Sequence, residues 1–487
     1  MEELAGRPLL EGADEKGRSG EFGASSSSSC IPGTGGRDSS SSSSAVNPAV
    51  IFSTFIAICG SFCYGCALSY SSPAQSGIMQ DLGLSIAAYS AFGSMLEIGG
   101  MIGALFCGRI TALLGRKYTM WLAQIFCIIG WLALAVAQSE WWLIMGRMSM
   151  GLGVGFITYV VPVYIAEITP KESRGSFSFA NQLLVTSGFA VTYAVGTVAS
   201  WRNLALLAII PGIVQLIGLF FIPESPRWLA NAGRVKEFRA ALQYLRGKNA
   251  DISAEEEEIQ ASVDDMNNGP KARMVDIFQR KYAYALTVGL GLMFLQQLGG
   301  NSGVAYYGSS IIEKSGFPIN IGTIVMSLIQ IPISAVGVAL MDISGRRALL
   351  MVSAGGMGIS AFLVGLSFVL QGLNLFKKVT PILTVISITG HIGSFAIGMG
   401  GIPWIIMSEI FPVSVKALAG TLVTLVNWSS SWMVTYSFNF MMQWSPAGTF
   451  FIFATGSAAT VAFTWKLVPE TKGRTLEEIQ ASMTTLH

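Results

Sequence analysis

Polar and apolar positions are sorted into long blocks along this chain rather than alternating at short period. Residues 1–47 hold no long apolar run. Apolar segments then follow at roughly 49–70, 89–108, 118–138, 142–163, 177–197 and 203–222, and again at roughly 283–308, 320–341, 349–370, 381–406, 419–441 and 448–468. Each is close to the about 20 residues that a helix needs to cross a bilayer. The pattern predicts an all-α membrane protein with twelve transmembrane helices in two six-helix halves. The polar stretch between the halves carries helical stripes, Val235, Phe238, Leu242 and Leu245 in one and Ile259, Val263 and Met266 in the other. It reads as a small cytoplasmic helical insert. The expected units are a disordered tail (1–47), a first half (48–222), the insert (223–282), a second half (283–468) and a C-terminal tail (469–487).

Composition agrees with this division. Hydrophobic residues make up 52% of the 487 positions and charged residues 12%, against about 25% charged in soluble domains. Lys and Arg set the orientation. Arg109, Arg116, Lys117, Lys171, Arg174, Arg346, Arg347 and Lys416 fall on the side of the insert, with Lys314, Lys377, Lys378 and Arg202 on the other. Insert and both termini are therefore expected in the cytoplasm. The tail has serine blocks at 25–29 and 39–44, no apolar run of a cleavable signal, and a Leu9-Leu10 pair of the kind that sorts membrane proteins. Of six cysteines, Cys59, Cys63 and Cys66 form one helical stripe, read as packing residues, and no zinc spacing occurs. His391 lies in an apolar span and is read as a packed neutral imidazole. No nucleophile–base constellation appears, so no enzyme, cofactor or nucleic-acid partner is expected; the expected partners are a small substrate and the lipid, with the chain monomeric.

The chemistry is expected where polar groups interrupt the spans. Leu290–Tyr307 reads LGLMFLQQLGGNSGVAYY. Gln296, Gln297, Asn301 and Ser302 stand mid-span beside Gly299, Gly300 and Gly303. An unpaired amide in hydrocarbon costs at least about 2 kcal/mol, so these groups face protein, water or a ligand. An amide offers two donors and an acceptor, which suits the hydroxyls of a sugar or polyol. Polar side chains and small residues also glue membrane helices together; two adjacent amides, a Gly-broken turn and a Tyr pair favour a ligand site. On a regular helix Asn301 shares a face with Gln297 at i+4. Gln182, Gln330, Trp404 and Asn427-Trp428 are further polar or aromatic residues inside spans. An indole can cover a pyranose face while amides bond its hydroxyls.

The two halves echo one another. GRITALLGRK after span 2 answers DISGRR after span 8. Ala166-Glu167-Ile168 with Arg174 after span 4 answers Ser408-Glu409-Ile410 with Lys416 after span 10. PESPR after span 6 answers PETKGR after span 12. Two like halves with a site between them permit rocking between two openings. The loops place Arg116, Glu167 and Arg174 in one cluster and Asp342, Arg346, Arg347 and Glu409 in its counterpart.

GRITALLGRK, GRMSMGLGVG, PESPR, QQLGG, PWIIMSE, NW and PETKGRT, in this order, resemble the sugar-porter branch of the major facilitator superfamily over about 48–480. SFCYGCALSY, QQLGGNSG and the serine-rich tail are most similar to plant early-response-to-dehydration-type monosaccharide transporters. The resemblance implies the major facilitator fold and transport of a hexose or related polyol by alternating access, at the vacuolar or plasma membrane. It implies ligand roles for Gln182, Gln296, Gln297, Trp404 and Asn427, and aromatic lids and walls in Phe62, Tyr306, Tyr307 and Phe395. Asn is common in the family where Ser302 stands. It implies that the two charge clusters tie the halves together when the outer side is open. Ala112 replaces a frequent Asp, which makes the first cluster the expected weaker one.

Coupling is read from span 1. Proton-coupled relatives carry an Asp late in that span, where Gly65 stands here, while the usual basic partner Arg147 remains. The resemblance therefore implies a facilitator. Glu97 in span 2 is an intramembrane carboxylate, functional by default, and at its depth it can pair with Arg147. A structural Glu97–Arg147 bridge is preferred to a proton site, with proton-coupled transport as the rival. A sugar sensor that binds without flux is the alternative of another class.

Overall fold

The computed structural model describes residues 47–170, 173–268 and 274–472. The N-terminal serine blocks, the Leu9-Leu10 pair, Cys30 and the C-terminal tail beyond Lys472 lie outside them. Among the described residues there is no strand.

Span 1 is α1 (Pro48–Ser69) continued by α2 (Ser71–Leu82) through the helical Tyr70. Spans 2 to 5 are α3 (Ile86–Leu114), α4 (Arg116–Ala135), α5 (Glu140–Ile168) and α6 (Arg174–Gly196). Span 6 is α7 (Trp201–Leu207) with α8 (Ile210–Gly218). The insert holds α9 (Pro226–Asn231), α10 (Val235–Arg246) and α11 (Ser253–Asn268). Span 7 is split into α12 (Ala283–Leu298) and α13 (Asn301–Ser315). Spans 8 and 9 are α14 (Ile319–Ser344) and α15 (Arg346–Gly372). Span 10 is α16 (Thr380–Ser394), a π-helical turn (Phe395–Met399) and α17 (Ile402–Ile410). Spans 11 and 12 are α18 (Val413–Trp444) and α19 (Pro446–Leu467). The result is twelve spans in two sets of six, with the helical insert between them.

By length and hydropathy, nine helices among the described residues qualify alone as membrane spans. The three that do not are α6, the α12–α13 pair and α18. Helix α6 carries Ser, Asn, Gln and Thr along its length, α12 stops at a glycine after 16 residues, and α18 contains Asn427 and the run Ser429–Ser431. Polar groups were expected in each of these three spans. The outward faces stay apolar: Leu113, Val198, Phe220 and Val352 are all more than two-thirds exposed, a surface made for lipid. Trp141, Trp142 and Trp444 stand at span ends, as aromatic residues do at a membrane interface.

The insert packs on itself through Trp228, Leu229, Phe238, Leu242, Ile259 and Val263. Val235, expected in its stripe, is exposed at the first position of α10, while Leu245 is buried in the main core. The side chain of Met266 lies outside the described ones. Arg246 fastens the insert to the membrane domain, donating to the Ile168 carbonyl at 2.9 Å and to Glu255 at 2.6 and 2.8 Å.

The echoed loop motifs share one geometry. Helix α4 starts at Gly115 (φ +94°) and α15 at Gly345 (φ +85°). A helix start leaves backbone N–H groups unpaired. Glu224 of PESPR accepts from the backbone N–H groups of Arg116 and Lys117 at 2.9 and 3.1 Å. Glu470 of PETKGR does the same for Arg346 and Arg347 at 3.0 and 3.1 Å. The two sites differ in solvation. Burial pushes the Glu224 carboxyl above its usual range against these hydrogen bonds. At Glu470 burial also pushes upward, but donors from Lys472, Arg346, Arg347 and Thr471 outweigh it and hold the carboxyl below its usual range.

Candidate functional site

The break in span 7 organises the site. Helix α12 ends at Gly299, and Gly300 takes the left-handed conformation, φ +87°, which only glycine adopts freely. A side chain there has no room either, since its first carbon would lie 2.3 Å from the Phe453 ring. The glycine backbone lies against an aromatic pile: Phe453 stacks on Phe438 at 6.2 Å and Phe438 on Tyr307 at 5.2 Å.

The break changes the register expected for a regular helix. Ser302, at i+5, rather than Asn301, at i+4, meets Gln297: its hydroxyl donates to Gln297 Oε1 at 2.5 Å. Ser302 also shares a hydrogen bond with Ser431 of α18 at 2.8 Å. Asn301 is half-buried at the first position of α13. Gln296 Oε1 accepts from Asn427 Nδ2 at 2.8 Å, and its amide donates to the Met399 carbonyl in the π-helical turn. A π turn frees such a carbonyl and often marks functional sites. Phe395 opens that turn, and it packs with Trp404 on the second core cluster.

Other expected residues lie outside this hydrogen-bonded set. Gln182 is exposed on α6, where the neighbouring Asn181 takes the hydroxyl of Ser61 at 2.5 Å. Gln330 of α14 has its amide oxygen buried without a partner. Phe62 is half-buried, its backbone against Gly188 of α6. Residues that sequence reasoning missed are Ser431, the Met399 carbonyl and Asn181. If Ser302 holds the substrate, as expected from the sequence, Ser302→Ala weakens its binding about 2- to 12-fold, the equivalent of one net hydrogen bond of about 0.5–1.5 kcal/mol, and Asn301→Ala less. Binding titrations of the two variants check the order.

One end of the molecule is closed between the halves. Tyr306 of α13 is buried and its hydroxyl donates to Glu97 of α3 at 2.5 Å. The Ser72 hydroxyl accepts from the Ser309 backbone N–H at 2.8 Å, Asn439 donates to Ser90 at 3.0 Å, and Tyr193 donates to the Ala305 carbonyl at 2.8 Å. Tyr89 and Tyr307 meet edge to face at 6.4 Å. The expected Glu97–Arg147 pair is not formed. Arg147 donates to the Ala67 carbonyl at 2.7 Å and lies over the rings of Phe92 and Tyr70 at 4.9 and 5.5 Å. Glu97 is taken by Tyr306, which directly precedes the kink of α13 at Tyr307.

At the other end, where the insert lies, each ion pair among the described residues stays within one half. Arg116 grips Glu167 by two bonds, 2.7 and 2.8 Å, and Ser225 adds a third at 2.5 Å. Arg346 stands 3.7 Å from Glu409, with Arg346 Nε and Glu409 Oε2 buried and unpartnered. Arg347 donates to the Trp465 carbonyl. Among the described side chains, the Arg116–Glu167 pair of the first cluster is closer than the Arg346–Glu409 pair of the second. The Ala112 side chain has no role in it, but its backbone carbonyl accepts from the Trp228 indole at 2.8 Å. The side chains of Arg174 and Asp342 lie outside the described ones.

The sugar (and other) transporter family profile matches residues 49–483. The chain is similar to the Arabidopsis thaliana proteins sugar transporter ESL1, 54% identical over 90% of this chain and 93% of that one, and sugar transporter ERD6, 52% identical over 90% and 88%. In fold it is similar to the inward-open xylose transporter XylE from E. coli, with a TM-score of 0.76, 24% identity and coverage of 89% of this chain and 99% of that one. The proton:xylose symporter XylE bound to 6-bromo-6-deoxy-D-glucose gives a TM-score of 0.72 at 23% identity, over 89% and 99%. Twelve helices in two halves around a split seventh span are the major facilitator fold, and the chain belongs to the sugar (and other) transporter family as a multi-pass membrane sugar transporter.

Proposed function

We propose that this sugar transporter is a monosaccharide facilitator that works by alternating access, with both termini and the insert in the cytoplasm. The observation that carries the substrate class is the mid-membrane set of amides and hydroxyls, Gln296 with Asn427 and Gln297 with Ser302 and Ser431. It offers paired donors and acceptors and no charge, the complement of a neutral polyhydroxyl ring. Trp404 and Phe395 supply apolar faces beside it. In this reading the clasped end is the outer gate and the molecule opens toward the insert. The clusters around Arg116 and Arg346 then reach across to each other only in the opposite state.

Facilitation is favoured because Arg147 spends its one hydrogen bond to oxygen on a backbone carbonyl, with Gly65 where a carboxylate would stand. One observation favours the rival: Glu97 is a carboxylate 3% exposed within a span, and such groups are often proton carriers. Uptake of labelled hexoses, pentoses and polyols into proteoliposomes, with internal pH followed, tests both. Flux of a monosaccharide without a sugar-driven pH change is expected. A pH change lost in Glu97→Gln overturns the facilitator, and binding without flux overturns transport in favour of a sensor.

A further inference from the structure

The turn between α15 and α16, at the end of the molecule away from the insert, points apolar side chains outward. Leu373, Leu375, Phe376 and Val379 are all exposed, with Lys377 and Lys378 exposed among them. The backbone of this turn is fixed. Asn374 ends α15 at φ +58°, and the Leu375 N–H closes back on the Leu370 carbonyl at 3.0 Å. Phe376 follows at φ +54°, and its carbonyl accepts from the N–H groups of Val379 and Thr380 at 2.7 and 3.1 Å. Asparagine tolerates the left-handed region, but a residue as bulky as Phe rarely enters it. Strained residues of this kind cluster where a protein holds a ligand. The strain here presents a phenyl ring that is 68% exposed. In water that arrangement is unfavourable on two counts; at an acyl-chain boundary, burial of the ring offsets the strain.

The apolar side chains of the turn run on into a lipid-facing stripe. Val379, Ile382 and Ile386 fall at i, i+3 and i+7 from the cap of α16 onward, and all three are exposed, as on a helix that turns one side to lipid. The turn therefore stands at the rim of the bilayer.

Charge gathers at the same corner. The basic residues at the tips of the spans on this end are Arg202, Lys314, Lys377 and Lys378. Arg202 is paired with Asp81 at 3.2 Å. Among the described residues none of the three lysines is in an ion pair. Gln371, in the last turn of α15, donates to the Lys314 carbonyl at 3.1 Å, which sets the end of α13 beside the turn. Lys314 gives one of its three protons to the Met442 carbonyl of α18 at 3.2 Å. Glu313 is the one carboxylate in the segments that meet here, so the corner is positive.

We propose that this corner is a docking site for an anionic phospholipid of the leaflet opposite the insert. Phe376 and its apolar neighbours enter the acyl boundary, and Lys377, Lys378 and Lys314 hold the headgroup phosphate. Lysines this close to a membrane surface are attracted to anionic lipids, and the attraction fades within a Debye length. A net-neutral headgroup would satisfy the apolar residues and leave the charge uncompensated.

The test uses the full chain in nanodiscs that contain, in turn, a phosphatidylglycerol or a phosphatidylcholine probe with a photoreactive group beside the phosphate. Adducts on residues 372–382 are measured by mass spectrometry. At equal probe content the parent is expected to take the anionic probe about tenfold more than the zwitterionic one, and Lys377→Gln with Lys378→Gln to bring the ratio to about 1. Phe376→Gly is expected to melt in detergent at or above the parent's temperature, since glycine takes φ +54° without strain. In the bilayer it is expected to take up less of both probes. Equal uptake of the two probes by the parent, or an unchanged ratio in the double lysine variant, overturns the proposal. A Phe376→Gly protein that melts earlier does so too, because the ring then packs on protein rather than lipid. Adducts displaced by soluble glycerol phosphate assign the lysines to a free phosphate, and a corner that takes neither probe is left to a soluble acidic partner; either result overturns the lipid site.

Discussion

Gly300→Ala is expected to lower stability by roughly 2–5 kcal/mol and to abolish measurable sugar binding in whatever protein folds. Two costs add. An L-residue held in the left-handed conformation costs about 1–2 kcal/mol, and φ at this position is +87°. The new carbon would lie 2.3 Å from Phe453 Cδ2, and forcing extra volume into a packed core costs typically about 1–3 kcal/mol. The ring has little room to yield, because it is stacked on Phe438 at 6.2 Å and set edge-on to Phe450 at 6.0 Å. The functional loss follows from register. Only the non-helical Gly300 brings Ser302 instead of Asn301 to Gln297. Gly299→Ala is the control: its φ of −64° suits any residue, and its neighbour at 3.0 Å is the flexible methyl end of Met357. Thermal unfolding in detergent and sugar titration of both variants check this. Equal melting temperatures for the two would remove Gly300 from its organising place.

The same position shows what was legible in the sequence. Glycines beside two amides announce an irregular helix, but its handedness and its one-residue shift in facing depend on where Phe453 and Phe438 lie, more than 130 residues away. The spans were legible because a bilayer demands long apolar blocks, and the repeat because its motifs recur in register. Why the motifs recur was not: Glu224 and Glu470 serve as acceptors for the first backbone N–H groups of α4 and α15, which needs the loop ends brought together in space. Ser431 carried no signal of its own. A serine in a membrane helix commonly bonds its own preceding turn, as Ser430 does with the Val426 carbonyl at 2.7 Å, and adjacent serines look alike in a sequence. Glu97 was visible as an intramembrane carboxylate; its partner was not. Arg147 was the evident counter-charge, but Tyr306, 209 positions away, reaches it first.

Glu167→Ala is expected to destabilise the protein by roughly 2–4 kcal/mol, and Glu409→Ala by no more than about 1 kcal/mol. Geometry rather than charge sets the difference, since both are Arg–Glu pairs at matching places in the two halves. Arg116 and Glu167 are 18% and 12% exposed and joined by two charge-assisted bonds. Breaking a buried pair of this kind costs about 3–5 kcal/mol, and an exposed one about 0–1 kcal/mol. Removal of Glu167 also frees the Ser225 hydroxyl, which caps α9 by accepting from the Trp228 N–H at 3.3 Å, so the insert loosens with the membrane helices. Arg346 and Glu409 are as shielded, at 22% and 19%, but they stand 3.7 Å apart and leave buried polar atoms unpaired. A carboxylate that already contributes little to this state is lost cheaply from it. Its worth then lies in the opposite state, where the two clusters are proposed to meet. Glu409→Ala is accordingly expected to favour the inward-open form while melting nearly as the parent does, and Glu167→Ala to melt early. Melting curves report the first difference, and reagent access to engineered cysteines on the insert side reports the second. A Glu409→Ala protein with the parent's access pattern would take Glu409 out of the gate and leave Arg116–Glu167 as a fastening of the first half alone.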